Sequence, residues 1–172
     1  GVAVLAGIDN EDKLYVCTRE GLWEIDTAPS TWTTRLIFPM APNVLNGTRM
    51  VVHNGSLWFS QSYDNDTPPA VYRMTVSDGR RTIEPVPNDF SQGDGLAAEA
   101  TGQCEWMVSV GGMVWISVGG AAGGRHARIM CHNGKGWHVM RRHGTQTLPI
   151  LWMGASSEDD AVPRLFYGIK VS

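Results

Sequence analysis

Apolar residues in this chain fall in short runs, each broken by Gly, Pro, Asn or Asp, and no long segment carries the three-and-four spacing of an amphipathic helix. Short apolar runs between turn residues read as β-strands. They predict about fourteen strands in consecutive antiparallel meanders. The first unit, residues 1–39, takes strands at 2–8, 14–18, 22–26 and 32–38, with Pro39 and Pro42 closing it because proline cannot continue a ladder. The second, residues 40–87, takes 48–53, 56–61, 70–76 and 80–86, and its Asn54-Gly55 pair is a strong two-residue hairpin signal. The third, residues 104–143, takes 104–110, 113–118, 126–132 and 137–142, while 148–172 holds two strands of an incomplete fourth. The polar, Gly-rich stretch 87–103 is the longest connection, expected to be mobile or a contact surface.

The units resemble one another. A turn residue, an aliphatic, an aromatic, an apolar residue and then a small one recur in Leu14-Tyr15-Val16-Cys17, Leu57-Trp58-Phe59-Ser60, Val114-Trp115-Ile116-Ser117 and Leu165-Phe166-Tyr167-Gly168. Tyr15, Trp58, Trp115 and Phe166 then lie 43, 57 and 51 residues apart. Self-similarity at that period belongs to stacked-blade architectures. The fold class expected is therefore all-β: a β-propeller-like array of four-stranded antiparallel blades, about three and a half of them in this chain. Alternation within strands is poor, as it is where a sheet is covered on both faces. Trp32 and Trp137 open the fourth strand of their units and are expected to pack alike. A small closed barrel or sandwich is the competing fold.

The stretch Asp12-Lys13-Leu14-Tyr15-Val16-Cys17-Thr18-Arg19-Glu20-Gly21-Leu22-Trp23-Glu24-Ile25-Asp26 resembles the repeat of the two-component-regulator type of β-propeller. In that repeat a Leu-aromatic strand passes through a Gly-Leu turn into a hydrophobic strand ending in Asp. The match is partial around Leu57-Trp58 and Val114-Trp115 and lapses after Phe166. Such repeats occur in sensor ectodomains, secreted sugar-active proteins and structural proteins of tailed phages, so the resemblance implies a fold and a binding role rather than a reaction. An incomplete last unit and a first residue other than Met lead us to expect part of a larger propeller, completed by further chain or a partner.

Composition narrows this modestly. Apolar residues make up 42% of 172 and charged residues 18%, which excludes a disordered chain. A formal charge of −3 gives no global attraction to nucleic acid or an anionic membrane, and no apolar run is long enough for a spanning helix. Cys17, Cys104 and Cys131 lack metal-ligand spacing and sit in apolar strands, so buried free thiols are expected.

Four constellations merit weighing. Residues 125–143 carry Arg125, Arg128, Lys135, Arg141 and Arg142 with no carboxylate, +5 against −8 elsewhere; this is either a basic surface for an acidic partner or anionic glycan, or a solvated strand face. His126, His132 and His138 could place imidazoles around one transition metal only if register allowed, and polar surface histidines are the simpler reading. Asp64-Asn65-Asp66 opens like a calcium loop but continues into Pro68-Pro69 without the Gly and distal Glu. Arg19, Asp64, Asp66 and Asp94 sit in loops that, in propellers, gather at one mouth. No nucleophile triad, phosphate loop or paired-acid motif accompanies them, so neither catalytic residues, metal nor cofactor is expected.

The function expected is a non-catalytic structural or interaction module, such as a virion- or tail-associated assembly protein whose partners are proteins or further copies of itself. The alternatives are a carbohydrate-binding or carbohydrate-cleaving propeller and a ligand-sensing ectodomain propeller.

Overall fold

The computed structural model describes residues 3–6, 13–18, 20–40, 49–62, 68–87, 102–119, 128–142, 150–155 and 165–169. These residues form strands joined by turns, with no helix among them, and hence none long and apolar enough to cross a membrane. Sheet 1 contains β1 (Ala3–Ala6), β2 (Lys13–Cys17), β3 (Gly21–Asp26) and β4 (Thr33–Pro39). Sheet 2 contains β5 (Met50–His53), β6 (Ser56–Gln61), β7 (Ala70–Ser77) and β8 (Arg80–Val86). Sheet 3 contains β9 (Cys104–Val110), β10 (Met113–Val118), β11 (Arg128–His132) and β12 (Trp137–Arg142). β13 (Ile150–Ala155) and β14 (Leu165–Ile169) make a two-stranded fourth sheet. Every pairing is antiparallel between sequence neighbours, so each sheet is a plain meander.

Turn chemistry explains the tight connections. Asn54 and Gly55 have φ of 47° and 68°, Asp78 and Gly79 51° and 70°, and Gly111 and Gly112 60° and 72°. Two successive residues at positive φ make the turn whose twist matches paired strands. Pro39 ends β4 and Pro85 lies within β8; both strands are at the edge of their sheets, where a missing N–H costs no ladder bond.

Two cores hold the sheets together. Between sheets 1 and 2 lie Tyr15, Cys17, Leu22, Met50, Leu57, Phe59 and Met74, all buried. Between sheets 2 and 3 lie Trp58, Val71, Val86, Cys104, Met107, Val114, Ile116, Val118, Met130 and Trp137. The first strands stand side by side, β5 next to both β1 and β9, and β13 next to β9. Sheet 2 is thus covered on both faces, which accounts for its weak alternation.

The register gives the repeat a direction. In sheet 2, Leu57 and Phe59 face sheet 1 while Trp58 faces sheet 3. In sheet 3 the equivalent Val114 and Ile116 face sheet 2, and Trp115, between them, points the opposite way. In sheet 1, Tyr15 and Cys17 face sheet 2, leaving Leu14 and Val16 on the far side. The aliphatic positions therefore form a rear face, toward the preceding sheet, and the aromatic position a front face, toward the next. The small residue of the motif, Cys17, Ser60 or Ser117, is fully buried in sheets 1, 2 and 3.

One sequence expectation fails. Trp137 is 3% exposed and part of the second core, whereas Trp32 precedes β4 and is 62% exposed. The two are not packing equivalents, because sheet 1 presents no covered surface at that end of β4, whose residues Thr33 to Leu36 are all exposed. The three cysteines are buried free thiols, and burial pushes Cys17 and Cys104 up to about 12.

Candidate functional site

The rear face of sheet 1 is the surface on which the repeat leaves something to do. Leu14 pairs with Ile25 and Val16 with Trp23, which pairs in turn with Leu36, so five large apolar side chains share one face. None of them is fully buried, and Leu36 is 38% exposed. An open hollow of about 410 Å³ lies there, lined by Val16, Thr18, Glu20, Trp23, Ile25 and Thr34.

The turn from β2 to β3 sets its geometry. Thr18 N donates to the Gly21 carbonyl at 2.9 Å, and Gly21 N returns a bond to the Thr18 carbonyl at 3.3 Å. The Thr18 hydroxyl oxygen accepts from Glu20 N and from the Trp23 indole Nε1, both at 3.1 Å. The indole is thereby held across the hollow with its polar edge satisfied and its ring available for contact.

On the front face of sheet 1 sits a buried charge. Glu24 is 5% exposed and lies in ion pairs with Arg35 at 3.3 Å and with Arg81 of β8, while the Tyr15 hydroxyl donates to it at 3.4 Å. Glu24 is the one carboxylate in an otherwise apolar strand core, Leu22-Trp23-Glu24-Ile25, and that interruption was the available signal. Its partner Arg81 comes from another sheet, which local pattern cannot reveal.

The junction of sheets 2 and 3 is polar at its rim. Arg49 donates from Nε to the Glu105 carbonyl and places its guanidinium 5.5 Å from the centroid of Trp106. Burial raises the Glu105 carboxyl above its ordinary value, with Arg49 opposing that shift. His53 Nδ1 lies 2.8 Å from Ser109 Oγ, and Cys104 N donates to Ser62 Oγ at 3.2 Å. His132 lies between Trp58 and Trp137, with ring centroids at 5.1 and 5.2 Å.

Burial lowers the His132 pKa below 6.5, helped by the charges of Arg73, His53 and His138. The Glu84 carboxylate is engaged by Arg73. Because the folded state resists this proton, stability is whole above about pH 6.5 and falls as the pH drops from there through the lowered folded pKa. Thermal melts between pH 8 and 5 are expected to show that decline, and His132→Gln to flatten it. Equal slopes in the two proteins would reject the assignment. Glu105 works in the opposite sense, since a raised carboxyl pKa favours the folded state at acid pH, so the difference between the two proteins is the informative quantity.

The residues singled out from sequence are distributed as follows. Arg19, Asp64, Asp66, Asp94, Arg125 and His126 lie outside the described residues. Arg128 and Arg142 are ladder partners, and Arg141 pairs with Ile129. His132 pairs with Trp137 and His138 with Cys131, so the two imidazoles leave opposite faces of the hairpin and do not converge on one ion. Among the described residues no group of three or more His, Cys, Asp or Glu is placed to hold a metal.

Comparison with family models, curated proteins and solved structures finds no match to this chain.

Proposed function

We propose that the chain is an interaction and assembly module built from propeller-type blades, and that the rear face of sheet 1 is where it receives another sheet. One observation carries this reading. The rear faces of sheets 2 and 3 are each covered by the aromatic front face of the sheet before, and on the rear face of sheet 1 the apolar Leu14 and Val16 hold the motif positions that Leu57 and Phe59, and Val114 and Ile116, hold on those covered faces. What fits it is a β-sheet face with an aromatic residue at its centre, supplied by a further copy or by a protein partner. The row of first strands, β1, β5, β9 and β13, supports the blade reading. The sequence resemblance supports a role in a large assembly, of which a virion or phage tail is the example.

Two kinds of buried reactive group are taken up by the structure itself. The Glu24 carboxylate is committed to two guanidiniums and a phenol, and the Cys17 and Cys104 thiols, pushed up to about 12, stay protonated at neutral pH.

The test is sedimentation of the whole chain beside Trp23→Glu. We expect the parent to associate at micromolar concentrations, and W23E to sediment as a monomer that melts within about 2 °C of it, since a half-open site tolerates the change. A monomeric parent together with a W23E protein that melts far lower would mean that the chain itself covers Trp23, and the reading would fall.

A further inference from the structure

The outer rims of sheets 1 and 2 are the edge strands β4 and β8, and between them runs an open groove of about 550 Å³. Arg35, Leu36, Ile37, Phe38, Arg81 and Ile83 line it. Its lining shares no residue with that of the rear hollow, although Leu36 also belongs to the apolar rear face of sheet 1.

Its two ends differ in chemistry. At one end Phe38 is fixed by ring contacts with Tyr72 at 4.8 Å and Phe59 at 5.5 Å, making with Ile37 and Ile83 an apolar wall. At the other end two guanidiniums converge on Glu24, Arg81 with a side chain 16% exposed and Arg35 with one 65% exposed. Lys13 and Asp26, the other charges on the front face of sheet 1 among the described residues, pair with each other at 3.4 Å. One carboxylate thus faces two guanidiniums, and the surplus positive charge stands at the exposed one, in a chain whose net charge is −3. Arg35 gives one N–H of its Nη2 to Glu24 at 3.3 Å, out of the five that a guanidinium carries.

The backbone favours an extended occupant. β4 is an edge strand, and the residues Thr33 to Leu36 are exposed along it. The register of β3 and β4 shifts between Leu22 and Trp23, so Ile37 is an extra residue on β4. A bulge of this kind bends an edge strand and re-aims its side chains. An edge strand can accept an extended segment through ladder hydrogen bonds, with pockets beside it reading alternate side chains.

We infer that this groove docks an extended peptide segment that presents an acidic and an apolar side chain on one face, two residues apart, with the carboxylate on Arg35 and the apolar side chain between Phe38 and Ile83. The inference concerns a different surface from the sheet-stacking one and does not depend on it.

The experiment titrates the whole chain into fluorescein-labelled Thr-Glu-Thr-Val-Thr-Glu-Thr, whose Glu and Val side chains share one face, and follows anisotropy, with the Lys-for-Glu peptide as comparison. The acidic peptide should bind saturably, at least about tenfold tighter than the basic one, and weaken as salt rises. Arg35→Ala should cost roughly tenfold in affinity and Arg35→Glu should abolish binding, with little change in melting because the side chain is exposed. W23E should leave peptide binding untouched, which separates this site from the stacking surface. Equal affinity for the basic peptide, absence of saturation by about 1 mM, or undiminished binding by R35E would each overturn the inference.

Discussion

Glu24→Ala should destabilise the folded chain by about 3–5 kcal/mol, the range for removing one member of a buried ion pair. The cost comes from what remains. Arg81, largely withdrawn from water between sheets 1 and 2, would keep its charge and lose the carboxylate that faces it. Arg35, 65% exposed, turns to solvent and contributes little to the loss. The variants should therefore rank unequally, with Arg35→Ala within about 1 kcal/mol of the parent and Glu24→Ala far below it. Glu24→Gln keeps the shape and an acceptor for the Tyr15 hydroxyl but not the charge, and should still lose most of the stability. The informative control is the double replacement of Glu24 and Arg81 by Met. Filling the same space without charge should recover most of the loss, since a buried pair owes its apparent strength to the penalty of orphaning one partner. Urea melts followed by Trp fluorescence measure all four. An E24A loss below about 1 kcal/mol would show that the network is solvated, and the account of the junction between sheets 1 and 2 would fail with it.

Much of this architecture can be read in the chain because its determinants are local. The hairpin at Asn54-Gly55 and the turns at Asp78-Gly79 and Gly111-Gly112 demand positive φ, and the residues there tolerate it. Runs such as 56–61, 80–86 and 113–118 are bounded by those turns, so the strands fall where the pattern puts them. What the pattern does not carry is direction. That Trp58 looks forward and Phe59 backward depends on which neighbour lies on which side, and both residues are simply apolar in sequence. The same blindness hid the pairing of Glu24 with Arg81, whose strands belong to different sheets. It also made Trp32 look like Trp137, although only one of them has a neighbouring sheet to enter. The basic run and the acidic loops drew attention as charge clusters, yet the charged groups that shape the described surfaces, Glu24, Arg35 and Arg49, each stand between uncharged neighbours in the chain. Side chains brought together by packing between sheets leave no local signature.

Gly21→Ala should be nearly as damaging, for a reason confined to one backbone atom. Gly21 opens β3 at φ +143°, a conformation that L side chains rarely adopt. A Cβ built there would stand 2.0 Å from the Phe38 carbonyl oxygen, which is backbone and cannot rotate away. Either β4 leaves its place beside β3 or the turn from Thr18 to Gly21 opens; both break ladder or turn hydrogen bonds. We expect a loss of about 3 kcal/mol or more, roughly 10 °C in a chain of this size. Gly55→Ala is the matched comparison. It too sits at positive φ, +68°, but a Cβ there meets nothing within 4 Å, so the cost should be the conformational one alone, about 1 kcal/mol. The difference between the two variants isolates the close approach of β4. Because Phe38 also anchors the ring cluster with Phe59 and Tyr72, G21A should reach beyond its own turn and lower peptide binding in the Arg35 groove, whereas G55A should leave that binding intact. Equal destabilisation by the two substitutions would mean that β4 does not lie against Gly21, and the groove it borders would lose its wall.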